Sequence, residues 1–434
     1  MNNDWKTLYK DKLVSLEQAA SLFNSGDYIL VGHTTAYPRS VMNAVVERKE
    51  LKDLKVFHAN IVGKIEYLAP ENWDRFSHTS FILGPNTRPA FEAKVADYMP
   101  FLYYGFAHEP QRLKGEYSYD KLLLNVAPPD ENGNLSFGVC CSYLPTMIRD
   151  AKVIIAQINE NMPFVHGDYL NMADVDYLVD SSDPVFYLPE FPLSDTDRKI
   201  GSLAAELIED GSTIQVGIGG IPKAVLAGLE TKNDLGIHSE MMSDGMYDLI
   251  EKGVITNAKK TINKGKSITT FLLGGEKLSK YAHNNPAVEV RSGEYTNDPF
   301  VISQNYKFVS VNSALQIDLT GQINAESLGF RQYSGTGGHM DFVYGALRAP
   351  GGKSIIAIES TAGSGKHSRI VPAFAPGTVV TTPRTMIDYV VTEYGAVQLK
   401  GKKLRERAKL LIEVSHPDFR EELTSQAHKV GLLN

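Results

Sequence analysis

The feature that most constrains this chain is that it repeats itself. Gly26 opens the run Gly-Asp-Tyr-Ile-Leu-Val-Gly-His-Thr-Thr-Ala-Tyr-Pro-Arg-Ser-Val, and Gly211 opens Gly-Ser-Thr-Ile-Gln-Val-Gly-Ile-Gly-Gly-Ile-Pro-Lys-Ala-Val. With one residue deleted, Gly26 meets Gly211, Val31 meets Val216, Gly32 meets Gly217, Pro38 meets Pro222 and Val41 meets Val225. Both runs read as a strand, a turn and a helix opened by proline, whose fixed φ suits a first helical turn. A period near half the chain is too long for a solenoid and predicts two homologous α/β halves. The β-rich runs Ala151 to Ile158 and Lys307 to Leu315 fall late in their respective halves, as duplication requires. Between the repeats, Ser181 to Asp197 carries Pro184, Pro189 and Pro192 and breaks the pattern. The expected organisation is therefore an α/β domain over residues 1–185, a linker over 186–197 and a second α/β domain over 198–434.

The second repeat places chemistry. A helix from Pro222 to Lys232, with Val225, Leu226 and Leu229 on one side, leads to a short apolar strand, Leu235 to Ile237. Strand, helix and strand make a crossover unit whose two strands run parallel, so their C-terminal ends share one edge of the sheet. Ligands of open α/β sheets bind at that edge. Glu240 leaves one strand there, and the Gly217–Gly220 loop leaves the other. Gly-Ile-Gly-Gly is not a dinucleotide fingerprint, because the third glycine of that pattern would fall at Pro222 and no acidic ribose-binder follows at the right spacing. It is either a tight packing turn or a nest of backbone donors at a helix N-terminus, suited to a phosphate or an oxyanion.

Other chemistries lack their anchors. The stretch Ser360 to His367 imitates a phosphate-binding loop but has Ser for the first glycine and His for the hydroxyl residue after Lys366, which excludes nucleoside triphosphate hydrolysis. Lys366 and Arg369 remain possible anion contacts in a solvated loop. There is no Gly-x-Ser-x-Gly elbow for a serine hydrolase, and the histidines show no zinc-helix spacing. His238 and His339 read as hydrogen-bonding residues, whereas the repeat puts His33 at a strand end. Cys140 and Cys141 are adjacent, which precludes a long-range disulfide framework and a metal-ligand spacing. A net charge of −7 argues against a nucleic-acid footprint. No apolar run approaches the ~20 residues of a membrane helix, and the N-terminus lacks the apolar core of a secretory signal. The expectation is a cytoplasmic protein with no metal, no nucleic-acid partner and no membrane partner.

Five segments in one order carry a resemblance: Gln215 to Pro222, His238 to Gly245, Gly335 to Phe342, Ser368 to Pro372 and Val391 to Gly395. With them the chain resembles the acetyl-CoA hydrolase/transferase family of CoA-transferases, most closely those acting on 4-hydroxybutyrate or on butyryl-CoA and acetate. The resemblance implies two related open α/β domains with the active site between them, and a catalytic glutamate at Glu240. It implies coenzyme A contacts from Gln215, Val216, Gly217, Ile218 and Gly219, from Gly337 and Gly338, and from the backbone near Leu315. It places His33 in the acyl or carboxylate pocket, and puts His339 where relatives often carry Gln. Coenzyme A is then a substrate, no cofactor is permanently bound, and a dimer or higher homo-oligomer is expected.

The expected reaction is nucleophilic catalysis with ping-pong kinetics. Glu240 attacks a short-chain acyl-CoA, the acyl-glutamyl anhydride is opened by the CoA thiolate, and an acceptor acid such as acetate reverses the sequence. A carboxylate nucleophile conserves the thioester's free energy, which a serine ester would lose. Two alternatives stand: an acyl-CoA hydrolase using the same glutamate, and a non-catalytic acyl-CoA-binding protein.

Overall fold

The structure, a computed structural model, describes residues 5–105, 119–188 and 192–434. By density of packing the chain divides into two compact units: Met1–Pro189 with Ile268–Thr296, and Glu190–Ser267 with Asn297–Asn434. By packing, the segment from Ile268 to Thr296 goes with the first unit, whereas the expected division kept it in the second half. A run such as Ser267 to Leu273 announces a strand, but its pattern does not say which sheet will bury it. Part of the expected linker segment is docked. Asp183 accepts from the backbone N–H and hydroxyl of Ser40 and from Gln157 Nε2, Phe186 lies 4.4 Å beneath the Arg39 guanidinium, and Leu188 N–H bonds to Gly274. The chain is therefore docked on the first unit as far as Leu188. The Ser194 capping box has already begun the next helix by Asp195. Pro189, one of the three prolines of that linker, lies outside the described residues.

The first unit is built on seven strands: β1 (Tyr28–Val31), β2 (Leu54–Phe57), β3 (Phe76–Ser80), β4 (Ala96–Tyr98), β5 (Lys121–Val126), β6 (Ile154–Asn159) and β7 (Tyr177–Ser181). Their order is β7-β6-β5-β1-β2-β3-β4, and every neighbouring pair is parallel. The second unit has β8 (Thr213–Val216), β9 (Gly236–Ile237), β10 (Phe308–Asn312), β11 (Lys353–Ala357), β12 (Tyr389–Thr392) and β13 (Gly395–Gln398). These run β9-β8-β10-β11-β12-β13, parallel except for the last pair. The arrangement β2-β1-β5-β6-β7 thus recurs as β9-β8-β10-β11-β12, which is the duplication read from the two glycine-opened runs. Strands β5, β6 and β8 are buried at every position, as parallel strands covered on both faces must be.

The helices that position the site are α1 (Arg39–Glu47), α2 (Leu144–Ile148), α3 (Asp195–Glu206), α4 (Gly220–Gly228) and α5 (His339–Arg348). Helix α1 buries Val41, Met42, Val45 and Val46, one apolar face, against Ile29, Val31, Leu54 and Val56 of the first sheet. Removing one of these, Met42→Ala for example, costs about 2–5 kcal/mol by the usual large-to-small rule. Helix α4 starts two residues before Pro222 and ends at Gly228, shorter at its C-terminus than the expected Pro222–Lys232. It approaches α3 closely: a Cβ on Gly201 would stand 2.4 Å from Ala224, and one on Gly228 would stand 2.8 Å from Ala205. The tail forms α6 (Leu404–Glu413) and α7 (Pro417–Lys429), divided at Pro417, and buries Ala408, Leu411, Ile412 and Leu423 with Ile356 and Val390 of the second sheet. Among the described residues no helix is long and apolar enough to cross a membrane.

Candidate active site

Strand β8 pairs in parallel with β9 through Thr213–Gly236 and Ile214–Ile237, and with β10 on its other side. The chain order changes direction between β9 and β10, and such a switch point opens a crevice at the C-terminal strand ends. Gln215 to Gly219, Glu240 and Leu315 all leave strands at this edge. Helix α5 returns the chain from β10 to β11, so its N-terminus faces the same edge.

The backbone leading to Glu240 is pinned. The fully buried Lys260 donates to Ile237 O at 2.6 Å and to Lys266 O at 2.7 Å, and Ile237 N–H bonds to Asn257 Oδ1 at 2.8 Å. The lysine stem passes so close to Gly236 that a Cβ there would meet it at 2.5 Å. Three residues beyond Ile237, the Glu240 carboxylate receives Asn297 Nδ2 on Oε2 at 2.8 Å and the Gly338 N–H. The side chain keeps partial access to solvent but is packed closely enough that burial raises its pKa from the ordinary 4.5 to about 7. The bonds from Asn297 and Gly338 pull in the opposite direction and do not overcome it. Gly338 is the N-cap of α5, where a helix favours negative charge.

The remaining candidates divide. Gly338 touches Glu240, and Gly337 precedes it in a left-handed conformation, φ +51°. The Gln215 side chain forms a reciprocal amide pair with Asn312 at 3.3 and 3.4 Å, and its backbone lies in the parallel pairing of β8 with β10. Val216 is buried, and Gly217 donates its N–H to Val311 O at 3.4 Å. Ile218 is 56% exposed at the loop tip, and Gly219 adopts φ +115°, ψ −175°, a conformation open essentially to glycine. Leu315 is half-buried and bonds through its N–H to Asn324 O. The backbone amide identified at Glu240 is that of Gly338. The start of α4 already faces an acid: a Cβ on Gly220 would stand 2.7 Å from both Asp197 carboxylate oxygens. His339 bonds to the Thr382 hydroxyl at 2.9 Å and is held neutral, its pKa lowered by burial to about 4. The imitation of a phosphate-binding loop is a β-hairpin, Thr361–Ala362 with His367–Ser368, and Arg369 is spent on Thr361 O, Ala314 O and Glu359.

Asn297 was not legible in the sequence. It precedes Asp298-Pro299, which reads as a helix cap and is one, Asp298 Oδ1 accepting from Phe300 N–H at 2.8 Å. Nothing local ties it to a glutamate 57 residues earlier.

His33 belongs to the first unit, at the end of β1. Its ring stacks on Tyr143 at 5.1 Å and meets Phe271 edge-on at 5.5 Å, and Nε2 lies 3.4 Å from the Tyr103 hydroxyl, which in turn bonds to Ser142 Oγ. Burial, with help from His58, lowers its pKa to about 3, so it is a neutral hydrogen-bonding group. The paired registers identify what this half has in place of the glutamate. Lys55 faces Tyr28 as Gly236 faces Thr213, so Ala59 corresponds to Glu240. Tyr143 is the N-cap of α2 as Gly338 is of α5, and its hydroxyl receives the Ala59 N–H at 3.4 Å.

Comparison with known proteins agrees with this architecture. Residues 1–189 match the acetyl-CoA hydrolase/transferase N-terminal domain, and residues 274–427 match the C-terminal domain. The chain is 44% identical to the 4-hydroxybutyrate coenzyme A transferase of Clostridium kluyveri over 98% of this chain and 99% of that one. It is 34% identical to the butyryl-CoA:acetate CoA-transferase of Anaerostipes caccae over 99% and 98%. The crystal structure of RipA from Yersinia pestis superposes with a TM-score of 0.91 at 37% identity, covering 99% of this chain and 100% of that chain. With matching domains in both halves and near-complete coverage of its relatives, the chain belongs to the acetyl-CoA hydrolase/transferase family and is an enzyme of the CoA-transferase class.

Proposed function

We propose that this enzyme moves CoA between a short-chain acyl-CoA, 4-hydroxybutyryl-CoA or butyryl-CoA, and a carboxylate such as acetate, through a glutamyl-CoA thioester on Glu240. The observation that carries this reading is the convergence of two neutral donors, Asn297 Nδ2 and Gly338 N–H, on a half-buried carboxylate at the switch point of the sheet. Glu240 Oε1 attacks the thioester carbonyl, the C–S bond breaks, and CoA leaves as the thiolate. The thiolate then adds to Glu240 Cδ of the anhydride, and the Cδ–Oε1 bond breaks, releasing the first acid, which carries that oxygen away. During that addition Oε2 carries the developing negative charge, where the two donors already stand. One such donor is typically worth about 2.7–4 kcal/mol. The acceptor acid enters by the reverse sequence.

A carboxylate is a weak nucleophile, so positioning has to supply much of the rate; effective molarities of ~10⁵–10⁸ M measure what positioning can give. The Gln215–Gly219 backbone, Leu315 and Gly337 are the proposed CoA contacts, and exposed Ile218 offers an apolar surface for the pantetheine arm. His33, neutral and hydrogen-bonding, is proposed to line the pocket for the acid.

Incubation with butyryl-CoA, borohydride reduction and peptide mass mapping tests the reading. Reduction of the thioester at Glu240 to the alcohol is expected, as is its absence in Glu240→Ala. An active Glu240→Ala variant rejects it. The hydrolase reading shares every step up to the glutamyl thioester and is favoured by the partial solvent access of Glu240. Acyl-CoA loss that is unchanged by added acetate would select it.

A further inference from the structure

Asn297 bridges two acids. Its Nδ2 lies 2.8 Å from Glu240 Oε2 and 3.4 Å from Asp341 Oδ2, while its Oδ1 is buried with no hydrogen-bond partner. A side-chain amide has two nearly isosteric orientations, and only one presents donors to Glu240. Glu240 does not select between them by itself. With a pKa near 7 it is often protonated at neutral pH, and a protonated carboxyl can donate to the oxygen of a flipped amide. A second acceptor on the same face of Asn297 opposes that flip, because a turned amide would set its oxygen against it. Asp341 stands there, 1% exposed, on the first turn of α5. It is three residues beyond Gly338, on the same helix face, and the intervening turn is closed by Phe342 N–H to Gly338 O at 3.0 Å. One helical turn therefore presents both the amide that binds Glu240 directly and the acid that faces its second donor.

We propose that Asp341 is a positioning residue that locks the Asn297 amide with its NH₂ toward Glu240, keeping Glu240 an acceptor and the attacking oxygen in place. The inference rests on Glu240 as the reacting group. The test is Asp341→Asn, alone and combined with Asn297→Ala, in full-length enzyme assayed with butyryl-CoA and acetate. The expected result is a fall in kcat of tenfold or more with KM for butyryl-CoA within twofold. The acidic limb of the pH profile of kcat/KM should also move to higher pH, because a flipped amide stabilises protonated Glu240. Loss of the Asp341 acid without a flip would leave that limb in place or move it to lower pH, since a neighbouring negative charge can only raise the Glu240 pKa. On the Asn297→Ala background the second substitution should add nothing. A limb that stays in place or moves to lower pH overturns the proposal, as does a loss that is fully additive with Asn297→Ala. If Asp341→Asn does not fold, Asp341→Ser is read by the same measurements. Failure of the underlying reading is separate and shows as activity retained in Glu240→Ala.

Discussion

The Cβ that Gly338 lacks would stand 1.9 Å from Glu240 Oε2 and 2.4 Å from Asn297 Nδ2. Backbone strain does not require glycine there, since its φ is −84°. The residue is small because the carboxylate and its amide partner occupy the space. Gly338→Ala should therefore fold normally but displace the carboxylate, and kcat should fall by ~10²-fold or more, the order expected for an ångström of misplacement. Steady-state kinetics with a melting curve on the same preparation checks both halves of the statement.

The proposed mechanism makes the carboxylate of Glu240 the attacking form, and its pKa is raised to about 7. Below that pH, kcat/KM should fall tenfold per unit, and above it should level off.

The same shift makes a stability prediction of opposite sense. Because the folded pKa exceeds the ordinary 4.5, the stabilisation of the protonated form is fully present below pH 4.5 and is lost as pH rises through about 7. Glu240→Gln, a neutral mimic, should match the native protein at pH 4–5 and exceed its stability at pH 8, by at most about 3 kcal/mol. Urea denaturation at the two pH values measures this difference.

Two glycines of the proposed CoA-binding loop separate conformation from ligand approach. At Gly219, φ +115° makes alanine strained whatever the space, with a cost of ~1–3 kcal/mol. At Gly217 a Cβ would meet only Pro222, at 4.0 Å, and φ is not positive. Gly217→Ala should leave the melting temperature unchanged, so any rise in KM for acyl-CoA reports contact with the ligand. Gly219→Ala should lose both stability and CoA affinity.

Lys260 is buried with its ammonium on the Ile237 and Lys266 carbonyls. Lys260→Met strands both acceptors at ~1–3 kcal/mol each. Chemical denaturation should show a loss of several kcal/mol, and the Glu240 loop should become more accessible to amide exchange.

The strands, the duplication and the edge that carries Glu240 were legible because they follow from period, proline and parallel topology. Gly26 and Gly211 open matching strands, and the matching sheet orders follow from them. Less legible was anything that depends on a partner distant in sequence. Asn297 and Asp341 are polar residues with no periodicity, and their relation to Glu240 exists only after α5 and β9 have been brought to one edge. Topology places the Gly217–Gly220 turn at the same edge as Glu240, but the amide of Gly338 at that carboxylate belongs to a segment far along the chain, and Asp197 stands against Gly220. The excursion Ile268–Thr296 escaped for a related reason, although it supplies Phe271 to the surroundings of His33.

The replacement of Glu240 and Gly338 by Ala59 and Tyr143 makes the duplication lopsided. In the second unit an acid reaches a bare helix start, and in the first a tyrosine stands at the helix start and its hydroxyl accepts from the Ala59 N–H. The duplicated scaffold thus holds a carboxylate against a glycine at one helix start and an aromatic ring at the other, so the two halves of one architecture carry different chemistry at matching places.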